Sequence, residues 1–213
     1  IKKLSAIRTL INQIPEKFGD SKKVKDIQDL LLICFSSIIR RVSNADNESQ
    51  KTYVSHTKVK EPVEVNELFF TQLDFFVDRA INFSSVTYSR TKIKIIHSSS
   101  AALLSKKLKG VQIDLAVTSP PYIKAIDYIY NQMVELFWIG DLFQMQTQAQ
   151  QNEKKIQYIG NKQISKVEFN DYTPYNTILH IDKLDEKLQQ VYDTDRKNGH
   201  KHSYVTFKYF VEM

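Results

Sequence analysis

Five consecutive residues, Thr118-Ser119-Pro120-Pro121-Tyr122, bring unusual chemistry into one short stretch. Pro121 restricts Pro120, and Pro120 restricts Ser119, to extended backbone. Neither proline has an N–H, so carbonyls here cannot all be tied up by local amides, and some point outward as rigid acceptors. Ser119 adds a hydroxyl that accepts or donates. Tyr122 adds a flat face for stacking. Two rigid acceptors beside an aromatic plate suit a planar ring that carries an NH₂ group. The amino hydrogens would go to the Ser119 side chain and the Pro120 carbonyl, with the ring against Tyr122. Accepting both hydrogens pulls the nitrogen out of conjugation with its ring and frees its lone pair for an electrophilic methyl group. Such chemistry works by positioning and preorganised electrostatics and requires no covalent intermediate.

The elements around this loop must hold it. Ile113–Val117, apolar except for Asp114, reads as a buried parallel strand that delivers the loop at its carboxyl end, where open α/β sheets bind ligands. Lys92–Ile96 is a short β-branched run and reads as a further strand. Ser99–Leu108 reads as a helix stopped by Gly110, and about 128–143 as the helix after the loop. Together they make a βαβα unit. Upstream, the apolar spacing predicts helices over 1–14, ended by Pro15 and Gly19, over 23–42 with Ser21 as a cap, and over 64–82. Residues 43–62 are polar and read as a loop. Residues 144–177 read as a polar excursion, and 182–192 and 202–213 as helices. The expected organisation is a helical region over 1–90 packed on the core, followed by a core segment over 91–213 with an insertion at about 144–177.

Composition bounds the partners. The chain has 213 residues, a formal charge of +6 and a pI near 9.2, which favours a polyanion without proving one. No apolar run is long enough to span a bilayer, and the N-terminus lacks the apolar stretch of a signal peptide. Cys34, the single cysteine, lies in the run Leu30–Phe35 and reads as a buried small hydrophobe in a reducing compartment. Glycine is scarce at 5 residues, where average usage gives roughly 15. No GxG, GxGxxG or GxxxxGK occurs, so the usual glycine-rich phosphate or cofactor turn is missing.

Thr118–Tyr122, with the run before it and Ile126-Asp127-Tyr128 after it, resembles the catalytic motif of S-adenosylmethionine-dependent amino-methyltransferases that act on DNA. Ile39-Arg40-Arg41-Val42-Ser43-Asn44-Ala45-Asp46 and Glu135-Leu136-Phe137-Trp138-Ile139-Gly140 also look familial, less specifically. The resemblance covers most of residues 20–213. It implies an α/β, Rossmann-like methyltransferase core with a partial open sheet and a mainly helical N-terminal region. It implies methyl transfer from S-adenosylmethionine to an exocyclic base amine in double-stranded DNA, in a bacterial restriction–modification setting in the cytoplasm. Ser rather than Asp or Asn before Pro-Pro implies N4 of cytosine ahead of N6 of adenine. The implied catalytic residues are Ser119, Pro120, Pro121 and Tyr122, with Thr118 and Ser98 on the cofactor side; by their charge, Arg40, Arg41, Lys124 and Lys201 are the candidates for DNA.

The chain departs from the family at the glycine-rich Asp-Pro-Phe motif that holds the methionine part of the cofactor, which is absent. Three accounts follow: the cofactor loop lies on a second chain or a further segment, a stretch is missing from within the numbered chain, or the chain binds no cofactor. An RNA base amino-methyltransferase and a non-catalytic DNA-binding or assembly subunit are the alternative functions.

Several residues carry a second reading. Asp127 could orient the base loop or cap the following helix. Ser98, Ser99 and Ser100 could contact cofactor or cap a helix. Arg40, Arg41, Lys51, Lys58 and Lys60 could reach phosphate or form a solvated face. The basic turn Lys197-Asn198-Gly199-His200-Lys201-His202 is a poor zinc site, because two histidines two apart lack further ligands. It fits a DNA-touching turn better. Trp138 and Phe69, Phe70, Phe75 and Phe76 read as core. Residues 144–177 could be a target-recognition excursion or a plain surface insertion.

Overall fold

The protein is described here from a computed structural model. It describes residues 1–46, 53–54, 57, 60–61, 63–86, 92–96, 108–119, 123, 127–160, 164–175, 178–194 and 198–213. The chain divides into two compact units: Ile1–Lys92 with Tyr128–Gln150, and Ile93–Asp127 with Gln151–Met213.

In the first unit, α1 (Lys2–Asn12), α2 (Ile14–Phe18), α3 (Lys22–Ile39) and α4 (Val65–Val86) follow the apolar spacing of the sequence. Pro15 does not end a helix; it sits in the first turn of α2, where its missing N–H has no intrahelical partner to lose. Gly19 ends α2 at φ 84°, a left-handed backbone that favours glycine. Ser21 caps α3 as expected, its Oγ accepting from the Val24 N–H at 3.3 Å. The stripe of α3 buries Cys34, Phe35, Ile38 and Ile39 against Leu4 and Ile11 of α1 and Leu68 and Phe69 of α4. Each fully buried Ile or Phe contributes about 1.5–3 kcal/mol.

The helix expected over about 128–143 is three pieces: α5 (Tyr128–Asn131), α6 (Met133–Ile139) and a 3₁₀ turn at Gly140–Phe143. Trp138 of α6 closes the core edge-on against Phe35, ring centroids 6.1 Å apart. Arg8, only 8% exposed, ties α1 to this segment, donating to Asp141 Oδ2 at 2.9 Å and to the Trp138 carbonyl at 3.4 Å.

The second unit is built on α9 (Asp182–Thr194) and α10 (Gly199–Glu212). Leu188, Val205 and Ser203 are completely or almost completely buried between them. Ser203 Oγ donates to the Leu188 carbonyl at 2.8 Å and lies 2.9 Å from the Tyr172 hydroxyl. The region read as a polar excursion contains α7 (Gln148–Ile156) and α8 (Lys166–Phe169). α8 opens on a capping box in which the Glu168 carboxylate accepts the Ser165 N–H at 2.8 Å.

The α/β expectation is overturned. The described residues contain helices and no β-strand, so among them a Rossmann-like core with a partial sheet is not shown. Lys92–Ile96 and Ile113–Val117, read as strands, are described without regular structure. The physical reason is pairing. A strand exists only when its N–H and C=O groups meet a neighbouring strand. Here the side chains of Ile93, Ile95, Ile113, Leu115 and Val117 stand 56–91% exposed. Of the helix expected over Ser99–Leu108, only Leu108 falls within the described residues, in a turn whose carbonyl accepts the Val111 N–H at 2.9 Å. Among the described residues no helix is long and apolar enough to cross a membrane.

Candidate base-amine loop

The run Val111–Ser119 emerges from the turn at Gly110, whose φ of 79° again favours glycine. Thr118 and Ser119 are described and both are exposed. The Ser119 hydroxyl is therefore open to solvent and to a large substrate. Pro120, Pro121, Tyr122, Lys124 and Ser98 lie outside the described residues. Ile123 is described, half-buried in a turn.

The far end of the loop is anchored. Asp127 Oδ2 lies 2.8 Å from Lys155 Nζ on α7, and the lysine side chain is only 17% exposed. By sequence Asp127 reads as loop-orienting or helix-capping. The side chain that meets its carboxylate comes from the segment read as an excursion. Nothing in the sequence could have found this pair, since 28 positions separate the two residues and no motif relates them.

Arg40 and Arg41, assigned to DNA, part company. The Arg40 side chain is 18% exposed, and it donates to Glu135 at 3.1 and 3.4 Å and to the Asn131 carbonyl. It is spent inside the first unit, joining the end of α3 to α5 and α6. Its backbone carbonyl accepts from Lys60 Nζ at 2.7 Å, and the same ammonium reaches the Ala45 carbonyl at 3.0 Å. Burial pushes the Lys60 ammonium below its ordinary value, against the pull of Asp46. Lys60 thus satisfies carbonyls at the negative end of α3, as a cation near a helix C-terminus should. Arg41 is exposed.

Ser36, Ser37, Arg40, Arg41, Gln132 and Glu135 line an open depression of about 570 Å³. It lies at a helix C-terminus and carries the Glu135 carboxylate, both of which oppose an anion.

Lys201 is in the first turn of α10, half-buried. Among the described residues no contact joins it to Thr118 or Ser119. Its neighbour His200 is committed to packing: Nε2 meets the Tyr172 carbonyl at 3.0 Å and the ring sits edge-on to Phe169 at 5.1 Å. Cys34 is completely buried, its Sγ 3.5 Å from the Phe69 carbonyl, and burial pushes its thiol up to about 11. It is no nucleophile.

Comparison with family models, with curated proteins and with solved structures finds no match.

Proposed function

We propose that this chain supplies the base-side part of a DNA amino-methyltransferase, with N4 of cytosine favoured over N6 of adenine. The observation that carries the reading is the Thr118–Tyr122 motif. Exposure of Thr118 and Ser119 at the end of the run Val111–Ser119 supports it, because a base held in a polymer can reach only an open loop. Ser119 and the Pro120 carbonyl would accept the two amino hydrogens, and Tyr122 would stack on the ring. A duplex substrate would have to extrude its base first.

S-adenosylmethionine is the donor that the motif implies, and the residues present do not fit it by themselves. Thr118 is exposed, and the glycines at positive φ, Gly19, Gly110 and Gly160, stand singly rather than in a cradle. The role argued for this chain is therefore confined to holding and polarising the amine. The same scarcity of glycine supports a second reading, a non-catalytic subunit that binds DNA.

The test uses single strands, which need no base extrusion. Fluorescence anisotropy compares fluorescein-labelled oligo-dC, whose base has the amine, with oligo-dT, whose base lacks it. The expected result is tighter binding of oligo-dC, lost in Ser119→Ala with Tyr122→Ala. Equal affinities for the two strands would overturn the amine-holding role. Tritium transfer from labelled S-adenosylmethionine to DNA, with RNA as the competing acceptor, then separates an enzyme from a binding subunit.

A further inference from the structure

The corner where α2 turns into α3 carries side chains that the fold does not use. Residues 17–25 hold four lysines and one aspartate. Lys25 is paired with Asp20 at 3.2 Å. Lys17, Lys22 and Lys23 are exposed, and among the described residues none of the three has a carboxylate partner. Phe18 stands beside them, 72% exposed. It lies one helical turn after Ile14, on the same face. Ile14 packs against the core, yet Phe18 does not. Gly19, at φ 84°, then swings the chain round, and a Cβ built on it would meet nothing within 4 Å. The outer side of the turn therefore faces open space.

The competing account is a solvated basic face with one stray aromatic, and a single exposed apolar side chain needs no explanation by itself. The placing of the lysines opposes that account. Lys22 and Lys23 sit at the positive end of an 18-residue helix whose first turn has no acidic residue to offset them. Helix stability favours the opposite choice, so these charges serve something outside the helix. An anionic bilayer would also meet lysines and a ring. But α2 is five residues long and presents one ring, far short of the apolar face that an interfacial helix inserts.

We propose that this corner binds a single strand of nucleic acid: Phe18 stacks on a base while Lys17, Lys22 and Lys23 meet the flanking phosphates. Four peptide steps separate Phe18 from Lys22, at most about 14 Å, which keeps ring and ammonium within reach of neighbouring nucleotides. Glu16 and Asp26 border the basic stretch and repel a phosphate beyond it. Every base has a face to stack, so the corner binds with or without an exocyclic amine. The inference therefore does not rest on the amine-holding reading, whose Ser119 belongs to the other unit.

The experiment uses the full chain and fluorescein-labelled oligo-dT, whose base lacks the amine, followed by anisotropy over a range of salt. Lys22→Gln with Lys23→Gln should lower the salt slope of binding by about 1.4, because each phosphate contact on a single strand contributes about 0.7. Phe18→Ala should weaken binding about five- to 100-fold at unchanged slope, and Phe18→Trp should restore it. Lys183→Gln with Lys187→Gln, two exposed lysines of the second unit, should leave the slope as it is. All these positions are exposed, and the Trp138 urea midpoint serves as the folding control. The corner variants should weaken oligo-dC and oligo-dT alike, while Ser119→Ala with Tyr122→Ala should leave oligo-dT untouched. No binding of oligo-dT by the unaltered chain, an unchanged slope in the lysine pair, or unchanged affinity in Phe18→Ala would overturn the proposal. So would Phe18-dependent sedimentation with phosphatidylserine vesicles in place of oligo-dT binding. Equal affinities for oligo-dC and oligo-dT would sink the amine-holding role alone, since the corner is decided on oligo-dT.

Discussion

Arg40 and Arg41 are adjacent, equally charged, and predicted to do different things. Replacing Arg40 with Ala removes both donors from Glu135 and the one on the Asn131 carbonyl. It strands a carboxylate whose side chain is only 18% exposed. Breaking a fully buried pair costs about 3–5 kcal/mol. Discounted for the remaining exposure, the expected loss is about 2–3 kcal/mol. Trp138 is the only tryptophan and packs on Phe35 in the same unit, so its fluorescence reports this transition directly. With a urea slope of about 1–3 kcal/mol/M, the midpoint should fall by roughly 1–2 M at unchanged slope.

The double variant Arg40→Met with Glu135→Met separates lost attraction from stranded charge. Removing both partners should recover most of the loss, because no unpaired carboxylate remains. Arg41→Ala should shift stability by less than about 0.5 kcal/mol, as surface changes do. On the DNA-binding reading it should instead reduce the salt slope of binding by about one. If Arg40→Ala unfolds within about 0.5 kcal/mol of the native chain, or the double variant is less stable than Arg40→Met alone, the assignment of Arg40 to internal structure is wrong.

Other outcomes follow from the same packing. Cys34 has its thiol raised from 9.0 to about 11 in the fold, so the folded chain holds that proton more tightly than the unfolded one. Its contribution is whole below pH 9 and is lost as pH rises towards 11, on the order of 3 kcal/mol in all, and urea midpoints of Cys34→Ala should lack that part of the slope. Gly199→Ala should destabilise by about 1–3 kcal/mol despite alanine's better helix propensity, because a Cβ there would lie 2.9 Å from the Val191 carbonyl oxygen and nearer still to that of Tyr192. A rise in thermal midpoint by circular dichroism would refute it. Ser203→Ala should cost more than Tyr172→Phe in the same measurement, since the first strands the buried tyrosine hydroxyl while the second leaves Ser203 bonded to Leu188.

The helices were legible because each buries one stripe that its own spacing declares. The expectation of 23–42 meets α3 at Lys22–Ile39, and 64–82 meets α4 at Val65–Val86. Where the backbone changes its hydrogen bonding midway, the stripe is silent. The single helix expected over 128–143 is broken at Gln132 and tightens at Gly140, whose carbonyl accepts from Met145 N–H at 2.8 Å. A Cβ on Gly140 would stand 2.8 Å from the Met145 carbonyl oxygen, so this turn needs the glycine, yet the apolar pattern runs through it unchanged. The capping box at Ser165–Glu168 was written plainly in a region read only as polar.

The strands failed for a different reason. β-Propensity is a statement about fitting a pleated surface between neighbours, and Ile113–Val117 has the residues for such a place. No local pattern can supply the neighbour, whereas a helix carries its hydrogen-bond partners four residues away. The same limit governs the site. Thr118–Tyr122 offers a candidate from sequence alone because its chemistry is contiguous. Arg40 with Glu135, and Asp127 with Lys155, could not, because each pair is made by folding across 95 and 28 positions. Basic residues in particular cannot be sorted by type. Arg40 reads as a phosphate contact on its charge, yet its part-buried side chain is engaged by Glu135 and the Asn131 carbonyl, while Arg41, one position on, stays exposed. A lysine or arginine in such a chain becomes a candidate for DNA only once its own fold has left it unspent.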